Sequence, residues 1–354
     1  MSWKKRVFQI ASAIDHRVDE MKAAVKKRFG NEKAWQIIPY RSYGTAQRVY
    51  ARGRLLEQQR IGLPEKTDGI WNNLLNMYRR FETDEVPNAP VSIEVLDQWH
   101  ETKTDKEGFF LFSITPPSHL VVNHLYQTFP LATKQQGRIV TAEAEVMIPS
   151  VRAGYGIISD IDDTIIQTGA TNIIGMLKTV LLTNAHTRLP FDGVAEFYQR
   201  LQKGKSGKQE NPFFYVSSSP WNLYDLLIDF MDLHHIPQGP LLLRDFGISN
   251  ENFMSHDYLG HKFTAIKNIL DTYPHLCFVL IGDSGESDPD IYLEVIKAYP
   301  GRIRAVYIRD VGHPEKKNYA MEIVQHMKRY SVDMVLSANS AIASTHAVEK
   351  GLIL

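Results

Sequence analysis

The sequence predicts two kinds of sheet in one chain. An α/β domain with a mostly parallel sheet is expected over residues 151–354, preceded by an N-terminal helix over 1–30 and an antiparallel β-sandwich-like domain over 31–150. Three observations carry this. Short apolar runs alternate with helical stretches after Pro149, the pattern of strand–helix–strand units. Before Pro149 the hydrophobic period is two, as in strands with one buried face. At the start of the chain the period is close to 3.6.

The first element is Trp3, Val7, Ile10, Ile14, Val18, Met21 and Val25, spaced by threes and fours on one helix face. Residues 1–30 hold eight Lys/Arg against three acids, a net +5, so the remainder of a chain that sums to zero carries −5. Such a helix either packs on the body of the protein or lies on an anionic membrane surface. Next, Val49, Ala51, Gly53 and Leu55 alternate with Arg48, Tyr50, Arg52 and Arg54, and Val140, Ala142, Ala144, Val146 and Ile148 alternate with Thr141, Glu143, Glu145 and Met147. A helical patch, Ile70, Trp71, Leu74, Leu75 and Tyr78, interrupts the series. Several short strands so spaced suggest an immunoglobulin-like or transthyretin-like sandwich. Nothing in this half assembles a catalytic set.

Beyond residue 150, strands are expected near 156–161, 213–218, 276–282, 303–308 and 333–336. The stretch Gly156-Ile157-Ile158-Ser159-Asp160-Ile161-Asp162-Asp163-Thr164 opens as an apolar strand and ends in three carboxylates. Clustered acids resist joint ionisation unless a cation sits among them. In open α/β sheets ligands bind beyond the carboxyl ends of the strands, so the stretch reads as a metal-and-phosphate site. One Asp could serve as a helix N-cap; three are poorly explained that way. Phe278-Val279-Leu280-Ile281 runs into Gly282-Asp283-Ser284-Gly285-Glu286-Ser287-Asp288, a second acidic strand end. Mg²⁺ takes one or two carboxylates and keeps waters, so these acids with a substrate phosphate suffice for it. Phe213-Phe214-Tyr215-Val216 leads to Ser217-Ser218-Ser219-Pro220, whose hydroxyls and N–H groups could hold a phosphate. A Ser-Pro pair also simply starts helices. Lys262, at the head of another helix, could neutralise a phosphate or be an ordinary surface lysine.

Balanced charge, 40 Lys/Arg against 40 Asp/Glu, gives no global field for nucleic acid. Cys277 is the single cysteine, so no intramolecular disulfide can form. No run reaches the roughly 18–20 apolar residues of a transmembrane helix, and no apolar signal-peptide region stands at the start. A soluble, cytoplasmic chain is expected, resting on membrane if the basic helix is interfacial.

In order along the chain, Asp160-x-Asp162-x-Thr164, Ser217, Lys262 and Gly282-Asp283-x4-Asp288 resemble the four motifs of the haloacid dehalogenase phosphatases. The wording Ser-Asp-Ile-Asp-Asp-Thr-Ile, Tyr-Val-Ser-Ser-Ser-Pro-Trp-Asn-Leu-Tyr, Gly-His-Lys-Phe and Ile-Gly-Asp-Ser-Gly-Glu-Ser-Asp-Pro is similar to the catalytic domain of actin-patch type phosphatidate phosphatases, distant relatives of the lipins. The resemblance covers about residues 150–330 and implies a haloacid-dehalogenase-like Rossmannoid fold. It also implies a Mg²⁺-dependent hydrolysis of phosphatidate to diacylglycerol and phosphate. Asp160 would be the nucleophile and Asp162 the general acid and base, its pKa raised by its surroundings. Thr164 and Ser217 would hydrogen-bond the nucleophile and the phosphoryl oxygens, with Ser217, Ser218 and Lys262 binding substrate. Asp160, Asp283 and a backbone carbonyl at Asp162 would hold Mg²⁺, with Asp288 behind them or among them. Asp163 stands where many relatives have glycine. The insert Ile165–Asn211 is short and carries the apolar Asn172–Leu182, which suits a phosphate head presented by a lipid aggregate, or else is a core helix. The motifs specify phosphoryl chemistry and leave the alcohol open, so a phosphatase for another phosphomonoester is the nearest alternative. A phosphatidate-sensing module would lack the catalytic acids, which are present here. A protein–protein adaptor would use the N-terminal half.

Overall fold

The computed structural model describes residues 33–57, 85–162, 164–165, 191–244, 258–312 and 314–354. The expected helix over 3–29, the patch Ile70–Tyr78, Asp163 and the apolar segment Asn172–Leu182 lie outside these residues.

The first seven strands are β1 (Trp35–Thr45), β2 (Arg48–Glu57), β3 (Pro90–Val95), β4 (Gln98–Lys103), β5 (Phe109–Ile114), β6 (Tyr126–Gln135) and β7 (Arg138–Met147). They form one sheet in the order β4-β3-β6-β7-β1-β2-β5. The expected two-sheet antiparallel sandwich is therefore replaced by a single sheet that curls until its two outermost strands, β4 and β5, come into contact. It is also mixed: β1 and β7 run parallel through Ser42–Val146 and Tyr43–Met147. Alternation is retained, since Val49, Ala51, Leu55, Val91, Ile93, Phe110, Phe112, Leu131 and Val146 all point into one enclosed core. Gly53 allows the curl to tighten. A Cβ there would lie 2.4 Å from the Phe110 ring and 2.6 Å from the Ile38 carbonyl, which only glycine avoids.

The second sheet contains β8 (Gly156–Ser159), β9 (Phe213–Pro220), β10 (Leu241–Arg244), β11 (Phe278–Asp283), β12 (Ile303–Arg309) and β13 (Asp333–Ser337). Five of these match the expected runs; β10, four residues at the sheet's edge, is too short to announce itself by periodicity. All neighbours are parallel, in the order β10-β9-β8-β11-β12-β13. The described helices are α1 (Val194–Lys203), α2 (Tyr224–Leu233) after a single 3₁₀ turn at Trp221–Leu223, α3 (Tyr258–Thr272), α4 (Asp288–Ala298), α5 (Pro314–Lys328) and α6 (Ser340–Glu349). One face of the sheet carries Ile157, Phe213, Val279 and Tyr307 in a core with Tyr198 and Leu227. The other carries Ile158, Phe214, Leu280 and Val306 in a core with Ile266, Val295 and Met327. Burial on both faces is why these strands read as unbroken apolar runs. The chain moves outward from β8 to β10 and then restarts beside β8 with β11. That reversal opens a crevice at the carboxyl ends of β8 and β11, the usual ligand position in doubly wound sheets.

Candidate active site

Both acidic motifs end at this crevice. Asp160 follows β8 and is buried, its N–H bonded to Ile281 O at 2.9 Å; Asp283 closes β11 and is also buried. A third carboxylate, Asp288, opens α4 and folds back so that its Oδ2 accepts the Asp283 N–H at 3.2 Å. Gly282 makes this possible, because a Cβ there would stand 2.3 Å from Asp288 Oδ2. Oxygens of Asp160, Asp283 and Asp288 lie within 4.8 Å of one another. The Asp162 carboxylate does not join this group; its expected share in holding a cation was a backbone carbonyl.

Lys262, far from being a surface lysine, is buried at the centre. Its Nζ lies 2.9 Å from Asp160 Oδ1, 2.7 Å from Asp288 Oδ1 and 2.8 Å from Glu286 Oε2. Burial alone would lower its pKa, but Asp160, Asp288 and Glu286 together raise it well above the usual lysine value. It is a fixed cation. Burial pushes the Asp160 carboxyl well up, and Lys262 pulls it back down. Asp283 is pushed up to about 8, first by burial and then by Asp288 and Glu286. Asp288 is raised by burial against the pull of Lys262. Three buried carboxylates and Glu286 thus face one ammonium, the deficit that a divalent cation would cancel.

The geometry offers that cation a place. Asp283 Oδ1 accepts the N–H groups of Gly285 and Glu286, at 2.5 and 2.9 Å, which fixes the side chain; Oδ2 is buried without a hydrogen-bond partner. A buried, oriented and unpartnered carboxylate oxygen beside Asp160 fits a hard metal ion. Asp288 has both oxygens engaged, one by Lys262 and one by the Asp283 N–H, so it orients its neighbours.

Asp162 occupies a separate pocket of hydroxyls. Ser217 Oγ donates to its Oδ2 at 2.7 Å and Ser219 Oγ at 3.1 Å, while Oδ1 is buried without a partner. Burial raises its pKa, and the Ser217 hydrogen bond opposes the rise. Ser217 was expected to serve the nucleophile and the phosphoryl oxygens; here its hydroxyl holds Asp162 instead. Thr164 Oγ1 stands 3.5 Å from Asp160 Oδ2, at the limit of a hydrogen bond. Ser218 is buried at the same strand end. Two participants were missed by the sequence reading. Ser219 and Glu286 both lie inside motifs already singled out, and their spacing to Ser217 and Asp283 was the available signal.

The curled sheet reaches the site through one residue past the serines. Trp221 stacks on Tyr40 of β1, with ring centroids 4.7 Å apart, and the Arg52 guanidinium of β2 lies 4.3 Å from the indole centroid. Tyr224 OH accepts the Arg41 N–H at 2.6 Å, and Arg41 pairs with Asp232 of α2 at 3.0 Å. The start of α2 is thereby pinned to β1 and β2.

Residues 155–310 match the family described as phosphatidate phosphatase APP1, catalytic domain. The chain is 30% identical over 240 residues to phosphatidate phosphatase APP1 of Saccharomyces cerevisiae, covering 65% of this chain and 39% of that protein. It is 29% identical over 217 residues to an uncharacterized protein of Schizosaccharomyces pombe, covering 59% of this chain and 34% of that one. The chain therefore spans less than half the length of these curated relatives. A solved carbohydrate acetylesterase from Xanthomonas citri is similar at a TM-score of 0.29 and 12% identity, over 82% of this chain and 73% of that one, too low a score to bear on the fold. Residues 155–310, the segment that brings the motif residues to one crevice, are thus similar to the catalytic domain of APP1 phosphatidate phosphatase.

Proposed function

We propose that the protein is a Mg²⁺-dependent phosphatidate phosphatase, working through an aspartyl-phosphate on Asp160 in a haloacid-dehalogenase-like Rossmannoid domain. The observation that carries this is the buried Lys262, 2.9 Å from Asp160, with the unpartnered oxygen of Asp283 beside them. The family match and the name of the yeast relative support phosphatidate as the substrate.

Asp160, Asp283 and the backbone at Asp162 would hold Mg²⁺, which when bound offsets phosphoryl charge next to the acids. Asp160 attacks phosphorus; an O–P bond forms as the ester P–O bond breaks. Lys262 favours the ionised form of Asp160 against the burial that opposes it, and supplies positive charge that is already in place when the transition state forms. Asp162, held by Ser217 and Ser219, gives its proton to the departing glyceryl oxygen. It then takes a proton from water, whose oxygen attacks phosphorus and releases Asp160. A carboxyl raised by burial is suited to both halves of this cycle.

The expected helix over residues 3–29, lying on anionic lipid, would bring the enzyme to its substrate. Among the described residues no helix is long and apolar enough to cross a membrane.

The test is phosphate release from phosphatidate in mixed micelles, compared with soluble sugar and nucleotide phosphates, with and without Mg²⁺. Phosphatidate should be preferred, chelation should abolish release, and Mg²⁺ should restore it better than Ca²⁺, whose larger, looser shell suits in-line transfer poorly. Preference for a soluble ester would replace the lipid reading with the alternative phosphomonoester. Full activity in excess chelator would remove the metal.

A further inference from the structure

Lys262 makes two directed hydrogen bonds, to Asp288 Oδ1 at 2.7 Å and to Glu286 Oε2 at 2.8 Å. Neither partner is the expected nucleophile. Asp160 Oδ1 lies 2.9 Å from the same Nζ, yet it is buried without a hydrogen-bond partner, so it meets the charge of the ammonium and not one of its N–H directions. The bonds of the one buried cation in the crevice are thus turned toward the two acids that do not react.

These two acids differ in what holds them. Asp288 is fully buried, and its second oxygen accepts the Asp283 N–H. Glu286 has 40% of its side chain exposed, and among the described residues its carboxylate is bonded to Lys262 alone. The Glu286 backbone, by contrast, is fixed. Its N–H and that of Gly285 both donate to Asp283 Oδ1, and Lys316 Nζ donates to the Gly285 carbonyl. The carboxylate therefore leaves Lys262 by rotation about its own side-chain bonds, with the loop and Asp283 left in place. Its charge reaches the whole site: burial raises the carboxyls of Asp160, Asp162, Asp283 and Asp288, and repulsion from Glu286 adds to the rise at each. Lys262 itself is buried, so a phosphoryl group that comes from solvent to its Nζ meets the exposed partner, Glu286, first.

We propose that Glu286 is a displaceable carboxylate, which occupies Lys262 in place of the phosphoryl group and yields that hydrogen bond when the phosphoryl group arrives. The inference rests on the phosphatase reading of the crevice. Only hydrogen bonds change in the exchange: Oε2 leaves Nζ, and a phosphoryl oxygen takes its position. A seat that is open for only a fraction of the time weakens its ligand's apparent affinity by that fraction. Loss of the carboxylate therefore tightens phosphoryl binding. If the pair served only to hold Lys262 in position, the same loss would weaken binding, so the sign of the effect decides between the two.

Inorganic phosphate is titrated calorimetrically, at saturating Mg²⁺, into the wild type and the variants Glu286→Gln and Glu286→Ala. Steady-state kinetics with a short-chain, soluble phosphatidate and melting temperatures are measured on the same proteins. Both variants should bind phosphate about 3- to 10-fold more tightly, the size of a charge-assisted hydrogen bond discounted for a half-exposed position. KM should fall in step, with kcat changed by less than KM. Glu286→Gln, whose amide oxygen still reaches Lys262 without a charge, should gain less than Glu286→Ala, and its matched shape carries the test if Glu286→Ala melts early. Phosphate affinity and KM that are unchanged within about twofold, or weakened, overturn the inference and leave Glu286 as a bystander or a fixed support for Lys262. Tighter phosphate binding in variants of a protein that hydrolyses no phosphatidate would spare the exchange and sink the lipid reading. Hydrolysis of phosphatidate with phosphate affinity unmoved would do the reverse.

Discussion

In the curled sheet, neighbouring residues of β2 have opposite fates: Val49, Ala51 and Leu55 are fully enclosed, while Arg48, Arg52 and Arg54 point outward. In the parallel sheet, the corresponding neighbours on β11, Val279 and Leu280, are both fully buried, one in each of two cores. The difference decides what each sheet can contribute. A strand buried on both faces has no side chain to spare along its length, so its chemistry collects at its carboxyl end, where Asp160, Asp283 and the serines after Val216 converge. A strand with one free face can lend that face to a neighbour. The first sheet lends Arg52, Tyr40 and Phe109 to Trp221, and supplies no group to the crevice among the described residues. One sheet holds the reactive atoms, and the other holds the segment that carries them.

The comparison would break most visibly at the acids. Asp160→Asn should leave neither turnover nor a phosphoenzyme, with the fold intact. Asp162→Asn should cut turnover by about 10²–10⁴-fold, the usual worth of a general acid–base. With an activated aryl phosphate, whose leaving group needs no proton, the first step should be partly spared and the aspartyl-phosphate should accumulate, read by radiolabel trapping. Turnover by Asp160→Asn alongside a complete absence of intermediate in Asp162→Asn would mean that the roles are reversed.

Those residues were legible because each motif sits where an apolar strand stops, and a strand's end is visible in a single sequence. Lys262 was legible only as one of two possibilities, since nothing in Gly260-His261-Lys262-Phe263 says that the side chain is buried among three acids. Closure of the first sheet was not legible at all. Alternation says which residues face inward but not whether the inward faces belong to two sheets or to one that curls, and here Gly53 and the parallel β1–β7 pair decide the matter. The contact between Tyr40 and Trp221, 181 positions apart, depends on how two sheets dock.

The clamp itself offers the next effect in size. Trp221 and Tyr40 are both buried, with 6% and 5% of their surface exposed, in the core that also holds β8 and β9. Trp221→Ala should destabilise the protein by about 3–5 kcal/mol, the range for a large aromatic removed from a packed site. Because Trp221 follows Ser219 and Pro220 directly, activity should fall as well, measured below the melting temperature where the protein stays folded. Tyr40→Ala, which removes the other half of the stack from a different sheet, should reproduce both losses. Wild-type activity in a folded Tyr40→Ala variant would show that the first sheet stabilises the chain without positioning the serines.

The smallest effect asks whether the charge on β2 matters to the clamp or only its aliphatic stem. Arg52 holds its guanidinium 4.3 Å from the Trp221 centroid and 5.1 Å from that of Phe109, so it is attracted to the faces of two rings. Such contacts contribute about 0.5–2 kcal/mol, more when shielded from water. Arg52→Met keeps an unbranched stem against the aromatic rings and removes the guanidinium, its charge and its N–H donors together. Denaturant unfolding should show a loss of about 1 kcal/mol, with turnover reduced less than threefold. Arg48→Met is the matched control: its guanidinium lies 5.2 Å from Tyr50 of its own strand, on an exposed position, and should change stability by no more than about 0.5 kcal/mol. Equal losses in the two variants would mean that the free face of β2 gains nothing from meeting the parallel sheet. A large fall in turnover for Arg52→Met at unchanged stability would place β2 in the chemistry and erase the division of labour between the sheets.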